Sequence, residues 1–285
     1  MIAAVLAAAL VLGAPPEPGG FLTGAELRYG HRNVLVRTAA DLLAIPAGVA
    51  QWEHEDFAEF SLWSGAVLVM MAGQPSYDAQ LQAWLHQTLG RPGTRFTLHT
   101  PVGDALIWAA TGALFGTFEL VGFFGNVPPL LELFSLALEA FSVAEISHLT
   151  LKLLIGREGP RQGQGLGEVY GPAGGVRLFP DGTPSGHATG MYALLGAVSA
   201  YVDRWWVTAL LQVFGVAFCA SLVIDDYHFA SDVLFGGALG WHIGTWVVRH
   251  RRSRATSPTF AERLQVVPVA SARPLTAGVV AVVAF

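Results

Sequence analysis

The sequence predicts an all-α protein, a multi-helix membrane bundle, on three observations. The 285 residues are 53% hydrophobic and only 13% charged, against about 25% charged for an ordinary soluble domain. Mean hydropathy is +0.48. The apolar residues fall into recurrent runs, several approaching the ~20 residues a helix needs to cross a bilayer. The length allows one large domain or two small ones with a sizeable core. A net charge of −5 without a broad basic excess argues against nucleic acid as a partner. The single cysteine, Cys219, lies in an apolar run; it has no partner for an internal disulfide and reads as a small core residue.

Residues 1–14 are apolar and run into Pro15-Pro16-Glu17-Pro18 without a basic n-region, so they read as either a secretory signal or an anchor. Together with a polar linker they make up residues 1–33, ahead of a helical domain at 34–254. Its apolar segments run about 34–50, 58–73, 102–124, 129–155, 188–202, 205–224 and 233–248. The strongest are 205–224 and 233–248. Arg37 and Asp41 interrupt the first, and the second is short. The segment 129–155 carries Glu132, Glu139, Glu145, His148 and Lys152, and such groups in a span face a bundle interior or a wet cavity. Glu145, His148 and Lys152 are spaced to share one helix face. They form either a polar stripe satisfied inside the bundle or a set that positions Lys152. Residues 159–182 are glycine-rich without a Gly-Lys-Ser/Thr, which argues against a nucleotide loop and leaves a lid or a plain connector. The tail, 255–285, is valine-rich and alternates weakly, as a β-hairpin or an apolar attachment segment does.

Arg249, Arg251, Arg252 and Arg254 follow the last strong span, which places that end in the cytoplasm. Counting back by spans puts residues 222–232, Pro184–His187 and Lys152 together on the outer side.

Those last residues carry the chemistry. Pro184-Ser185-Gly186-His187 stands just before the apolar run 188–202, and Pro184 suits a first helical turn. Free N–H groups and the positive end of the helix dipole make an anion site there. Ser185 adds a hydroxyl, Gly186 allows close approach, and His187 is placed to protonate a leaving oxygen. His228 and Asp232 are four residues apart, so on a helix they share a face, and the carboxylate can orient the ring and leave its other nitrogen free to attack. Lys152 is the only lysine in the chain and can neutralise charge on phosphoryl oxygens. A His-x-x-x-Asp pair also occurs in metal sites, but no further ligands stand at suitable spacing, so no metal is expected.

In these motifs the chain resembles the type 2 phosphatidic acid phosphatase/vanadium haloperoxidase superfamily, over roughly 129–248. That family carries Lys, six residues, Arg-Pro; then Pro-Ser-Gly-His; then Ser-Arg, five residues, His, three residues, Asp. This sequence supplies Lys152 and Pro160, all of 184–187, and Ser221, His228 and Asp232. The resemblance implies a helical membrane bundle with its site at the outer surface. It also implies metal- and cofactor-independent hydrolysis of a phospholipid or isoprenoid phosphate or pyrophosphate through a phosphohistidine. His228 would be nucleophile, His187 acid and Asp232 the orienting carboxylate, with Lys152, Ser185 and Gly186 on the phosphate. Two family arginines are absent: Gly159 and Leu222 stand in their places. Arg157, Arg161 and Arg177 are the cations near enough in sequence to compensate. The deficit also fits headgroup transfer between lipids, as in the distantly similar sphingomyelin synthases, or a non-catalytic lipid-binding member. A periplasmic, only partly embedded bundle is the alternative to a multi-pass one.

Overall fold

The computed structural model describes residues 30–50, 52–162, 164–172, 182–255, 264–272 and 275–283. Among them are eight helices: α1 Gly30–Val49, α2 His54–Met71, α3 Tyr77–Leu89, α4 Pro101–Phe124, α5 Pro128–Ile155, α6 Gly186–Val202, α7 Trp205–Ile224 and α8 Ala230–Ala255. The domain is thus an all-α bundle. Beyond it, β1 Leu264–Ala272 and β2 Leu275–Val283 pair as an antiparallel hairpin, Leu264 opposite Val283. The expectations for residues 1–14 and for Arg177 fall outside the described residues.

Each apolar run becomes a helix, and α3 is an addition that apolar runs did not disclose. It is polar and short, capped by Ser76 accepting from the Ala79 N–H, and it buries Asp78 and Gln82 rather than an apolar stripe. Among the described residues, α4 and α7 are long and apolar enough to cross a membrane, with mean hydropathies of 1.5 and 2.3. Segments Val34–Val49 and His54–Met71 pass that test only as a pair bent by 103°, the shape of a broken span or a re-entrant loop. Helix α8, expected among the strongest spans, does not pass; its apolar side chains Val233, Ile243, Val247 and Val248 are buried in the core.

The centre of the bundle is α6, enclosed by α5, α7 and α8. Helices α6 and α8 touch backbone to backbone. Gly236, Gly240 and Gly244 fall every fourth residue on one face of α8 and lie against α6. A Cβ on Gly240 or Gly244 would run into the carbonyl oxygens of Thr189 or Ala193, and one on Gly236 would sit 2.5 Å from the Ser185 oxygen. Small residues at this spacing let helices approach closely enough for dispersion to act between main chains. The consequence for the site is register: the N-termini of α6 and α8 are held side by side, with the Ser185 N–H bonded to the Asp232 carbonyl at 3.0 Å.

At the other end of α5, Glu139 is fully buried between two arginines. Arg37 of α1 donates Nε–H to it at 2.7 Å and Arg251 of α8 does so at 2.9 Å, while Arg251 also reaches Asp41 at 3.1 Å. Two cations and two anions cancel here, which is how buried charges are tolerated. The charges that weaken 34–50 as an apolar run are therefore the ones that fasten α1 to the bundle. Arg251, counted among the arginines beyond the last span, is in fact buried inside the bundle. Glu132 likewise accepts from the Tyr201 hydroxyl at 3.1 Å.

Candidate active site

Five chain segments converge at one end of the bundle: the starts of α4, α6 and α8 and the ends of α5 and α7. They enclose a cavity of about 410 Å³ lined by Lys152, His148 and Glu145 of α5, Gly186 and His187 of α6, Tyr227 and His228, with Trp108, Phe141 and Leu149 as its apolar side.

Helix α6 begins at Gly186, two residues later than a start at Pro184 would give. Ser185 is the N-cap, its hydroxyl accepting from the Ala188 N–H at 3.3 Å, and Pro184 precedes the cap. Ser185 is completely buried and does not line the cavity. Its effect is to order the first turn, where the N–H groups of Gly186 and His187 have no acceptor within the helix and both residues line the cavity.

His228 is likewise not on a helix. It sits in the turn between α7 and α8, where its N–H and that of Tyr227 bond to the Leu222 carbonyl at 3.3 and 2.9 Å. Asp232 is in the first turn of α8, and its Oδ2 accepts the Phe229 N–H at 3.0 Å, the return half of a capping box. The same oxygen lies 3.8 Å from His228 Nδ1. That is ion-pair range rather than a hydrogen bond, and it leaves the Nε2 edge toward the cavity. The rings of His187 and His228 stand 6.2 Å apart, centroid to centroid, leaving room between them for a phosphoryl group.

The arginines expected to compensate are elsewhere. Arg157 is 1% exposed and its whole fork is taken. It bonds Asp232 Oδ1 at 2.6 Å, Asp78 Oδ2 at 2.9 Å, Ser231 Oγ at 2.7 Å and the Gly167 carbonyl at 3.2 Å, and it stacks on Phe229 at 4.7 Å. Gly167 adopts φ +71, and a Cβ there would lie 2.8 Å from Arg157 Nη2, so this glycine lies against the arginine. Arg157 is thus the keystone behind Asp232, not a wall of the cavity. Arg161 bonds the carbonyls of Asp225 at 2.6 Å and His99 at 3.3 Å and lies over the Tyr227 ring at 4.9 Å; it ties the loops that carry the site. Both corrections have one physical reason: a planar five-donor fork is stabilised by converging oxygens, and buried carboxylate and carbonyl groups supply them here.

Asp78, Asp104 and His99, which sequence reasoning passed over, complete the surroundings together with Asp225 and Asp226, the two acids just before His228. Asp78 of α3 accepts from Arg157, the Ser231 N–H at 3.1 Å and the Ser231 hydroxyl. Asp104, in the first turn of α4, lies 2.8 Å from His99 Nδ1 and 3.7 Å from His187 Nε2. His99, fully buried, reaches Ser221 Oγ at 2.9 Å through Nε2. Asp225 faces away from the cavity and accepts the Leu98 and His99 N–H groups and Arg95 Nη1. Burial opposes its ionisation, but these donors outweigh burial and hold its carboxyl below the usual carboxylate range. A depressed pKa means that this anchor contributes stability at neutral pH and loses it only as pH falls through the lowered value. Asp226 pairs with His86 at 2.5 Å, so neither acid burdens the cavity. A polar first turn in α3 and Thr100-Pro101 ahead of α4 were signals of these helices, but nothing local marks their acids as neighbours of the motifs.

Among the described residues no group of three or more His, Cys, Asp or Glu side chains is arranged to hold a metal ion. Residues 130–255 match the family model for the PAP2 superfamily. This part of the chain is similar to the PAP2 superfamily. No curated protein and no solved structure matches the chain. The matched PAP2 segment contains Lys152, His187, His228 and Asp232, and the family supports phosphatase-type chemistry on phosphate esters. With α4 and α7 it also supports a membrane protein. Helices α1 to α4, with Asp78, His99 and Asp104, lie ahead of the PAP2 match, so part of the cavity surroundings comes from outside it.

Proposed function

We propose that the chain is a metal-independent phosphatase that hydrolyses a membrane lipid phosphate or pyrophosphate through a phosphohistidine on His228. The supporting observation is that His187 and His228 face one cavity together with Lys152, with Asp232 behind His228. In the first step His228 Nε2 attacks phosphorus, the P–O bond to the lipid breaks, and His187 gives its proton to the departing oxygen. In the second, water attacks phosphorus, His187 takes the water proton, the P–N bond breaks with its electron pair returning to His228 Nε2, and phosphate leaves. Lys152 and the Gly186 and His187 N–H groups bind the non-bridging oxygens. Ser185 contributes through the turn it caps, and Asp104 places negative charge beside His187. The apolar wall of Trp108, Phe141 and Leu149 suits an acyl or isoprenoid chain next to the phosphate.

The assay is phosphate release from phosphatidic acid and from an isoprenoid pyrophosphate by the purified protein in detergent. Acid-labile label retained on the protein after a quench reports the intermediate. Turnover of both substrates at the level of a protein-free control would overturn the reading.

Headgroup transfer is the second reading, favoured by the cation deficit of the cavity. Gly159 and Leu222 carry no charge, Arg157 and Arg161 are engaged behind the wall, and Glu145 lies on it. A diester carries one negative charge where a monoester carries up to about two. Transfer of a labelled headgroup from a phosphodiester lipid to an alcohol, without free phosphate, selects this reading.

We place the site on the outer side, on the span count read from the sequence and on the arginines in the last turns of α8, Arg249, Arg252 and Arg254. A cysteine placed at Gln164 in a Cys219→Ser background is expected to react with a membrane-impermeant maleimide in intact cells. Reaction only after lysis would reverse the orientation, and release of the protein by carbonate would select the partly embedded alternative.

A further inference from the structure

One polar side chain on the cavity has no part in the chemistry above. His148 sits one turn before Lys152 on α5 and is 5% exposed. Its Nδ1 is 3.0 Å from Glu145 Oε2, though not aligned as a hydrogen bond. Its opposite edge faces the start of α6: a Cβ on Gly186 would lie 2.7 Å from His148 Nε2 and 2.9 Å from Cε1. Only glycine at 186 leaves space for this ring. Nε2 thereby stands against the first turn of α6, where the helix dipole favours an anion, and His148, Gly186 and His187 line one cavity. Glu145 stands beside Nδ1, so Nε2 is the ring nitrogen on the α6 side. Among the described residues that line the cavity, Lys152 is the only lysine or arginine.

We propose that His148, oriented by Glu145, is a phosphate-binding residue of this cavity, its Nε2–H donating to a non-bridging phosphoryl oxygen beside Gly186. It supplies on α5 part of the hydrogen bonding that positions 159 and 222 do not. The assignment rests on the phosphoryl reading of the site but not on hydrolysis, because binding and transfer both need the oxygen held. His148 brings a donor to the cavity wall, and Glu145 beside it brings an acidic group. A second negative charge on the ligand is then opposed by Glu145, which matches a phosphodiester or singly charged phosphate better than a dianion.

The test uses the geometry of the ring. Glutamine places its amide nitrogen near the Nε2 position, whereas asparagine reaches only the Nδ1 position. With the purified full-length protein, the affinity for inorganic phosphate is measured by calorimetry, and thermal unfolding is followed in parallel. His148→Asn is expected to weaken phosphate binding about ten-fold or more, the worth of a charge-assisted hydrogen bond. His148→Gln is expected to stay within about three-fold of wild type, with both variants unfolding near the wild-type temperature. Equal affinity in wild type and His148→Asn overturns the assignment, as does equal loss in both variants. Phosphate binding that depends on His148 in a protein without turnover supports this assignment and sinks the proposed hydrolase. Loss of turnover in His148→Asn at unchanged phosphate affinity does the reverse.

Discussion

His228→Ala is expected to reduce turnover of a lipid phosphate by about 10³-fold or more, since a nucleophile is removed rather than a binding contact. Inorganic phosphate should still bind, because Lys152 and the first turn of α6 are untouched. His228 is held from behind by its own main chain, through the Leu222 carbonyl, so the turn survives loss of the ring. The label that wild type retains after an acid quench should disappear. Activity within ten-fold of wild type would remove His228 from the mechanism. The ring lies 3.8 Å from Asp232, and with bound substrate that contact is expected to tighten, as catalytic hydrogen bonds do on forming the complex.

Arg157→Ala is expected to fail in a different way. Asp78 and Asp232 are both buried, at 1% and 0% exposed, and Arg157 answers both. Removing one partner from a buried ion network costs about 3–5 kcal/mol, a large share of the ~5–15 kcal/mol that holds a domain together. The variant should unfold at much lower temperature in detergent, and its activity should be lost together with the structure. Arg157→Lys should rescue little, because one ammonium cannot reproduce contacts made by three guanidinium nitrogens. The opposite result, weak phosphate binding in a variant as stable as wild type, would show that Arg157 belongs to the cavity after all.

The two variants mark where sequence reasoning sufficed and where it did not. His228, His187, Asp232 and Lys152 were legible because their spacing is local or their usage is rare, and the structure brings them to one place. Their surroundings were less so. The four-residue interval from His228 to Asp232 suggested a helix, whereas the intervening N–H groups start a capping turn. Arg157 and Arg161 stand beside the first motif in sequence, and proximity suggested the phosphate. Burial and five converging oxygens direct Arg157 to the back of the site instead.

Composition and the spacing of apolar runs determined the bundle and most of its helices, because a helix that must bury or face lipid on most sides has few places for charge. The motif spacings determined which residues are proposed to react. Only the tertiary structure decided which charges serve as scaffold and which face the cavity. Asp78 and Arg157 are 79 residues apart, and Asp104 meets His187 across α4 and α6. His148 gains its outlook from a glycine on another helix. Such pairs leave no periodicity in the chain, since a contact between two helices depends on how they pack and not on the distance along the sequence.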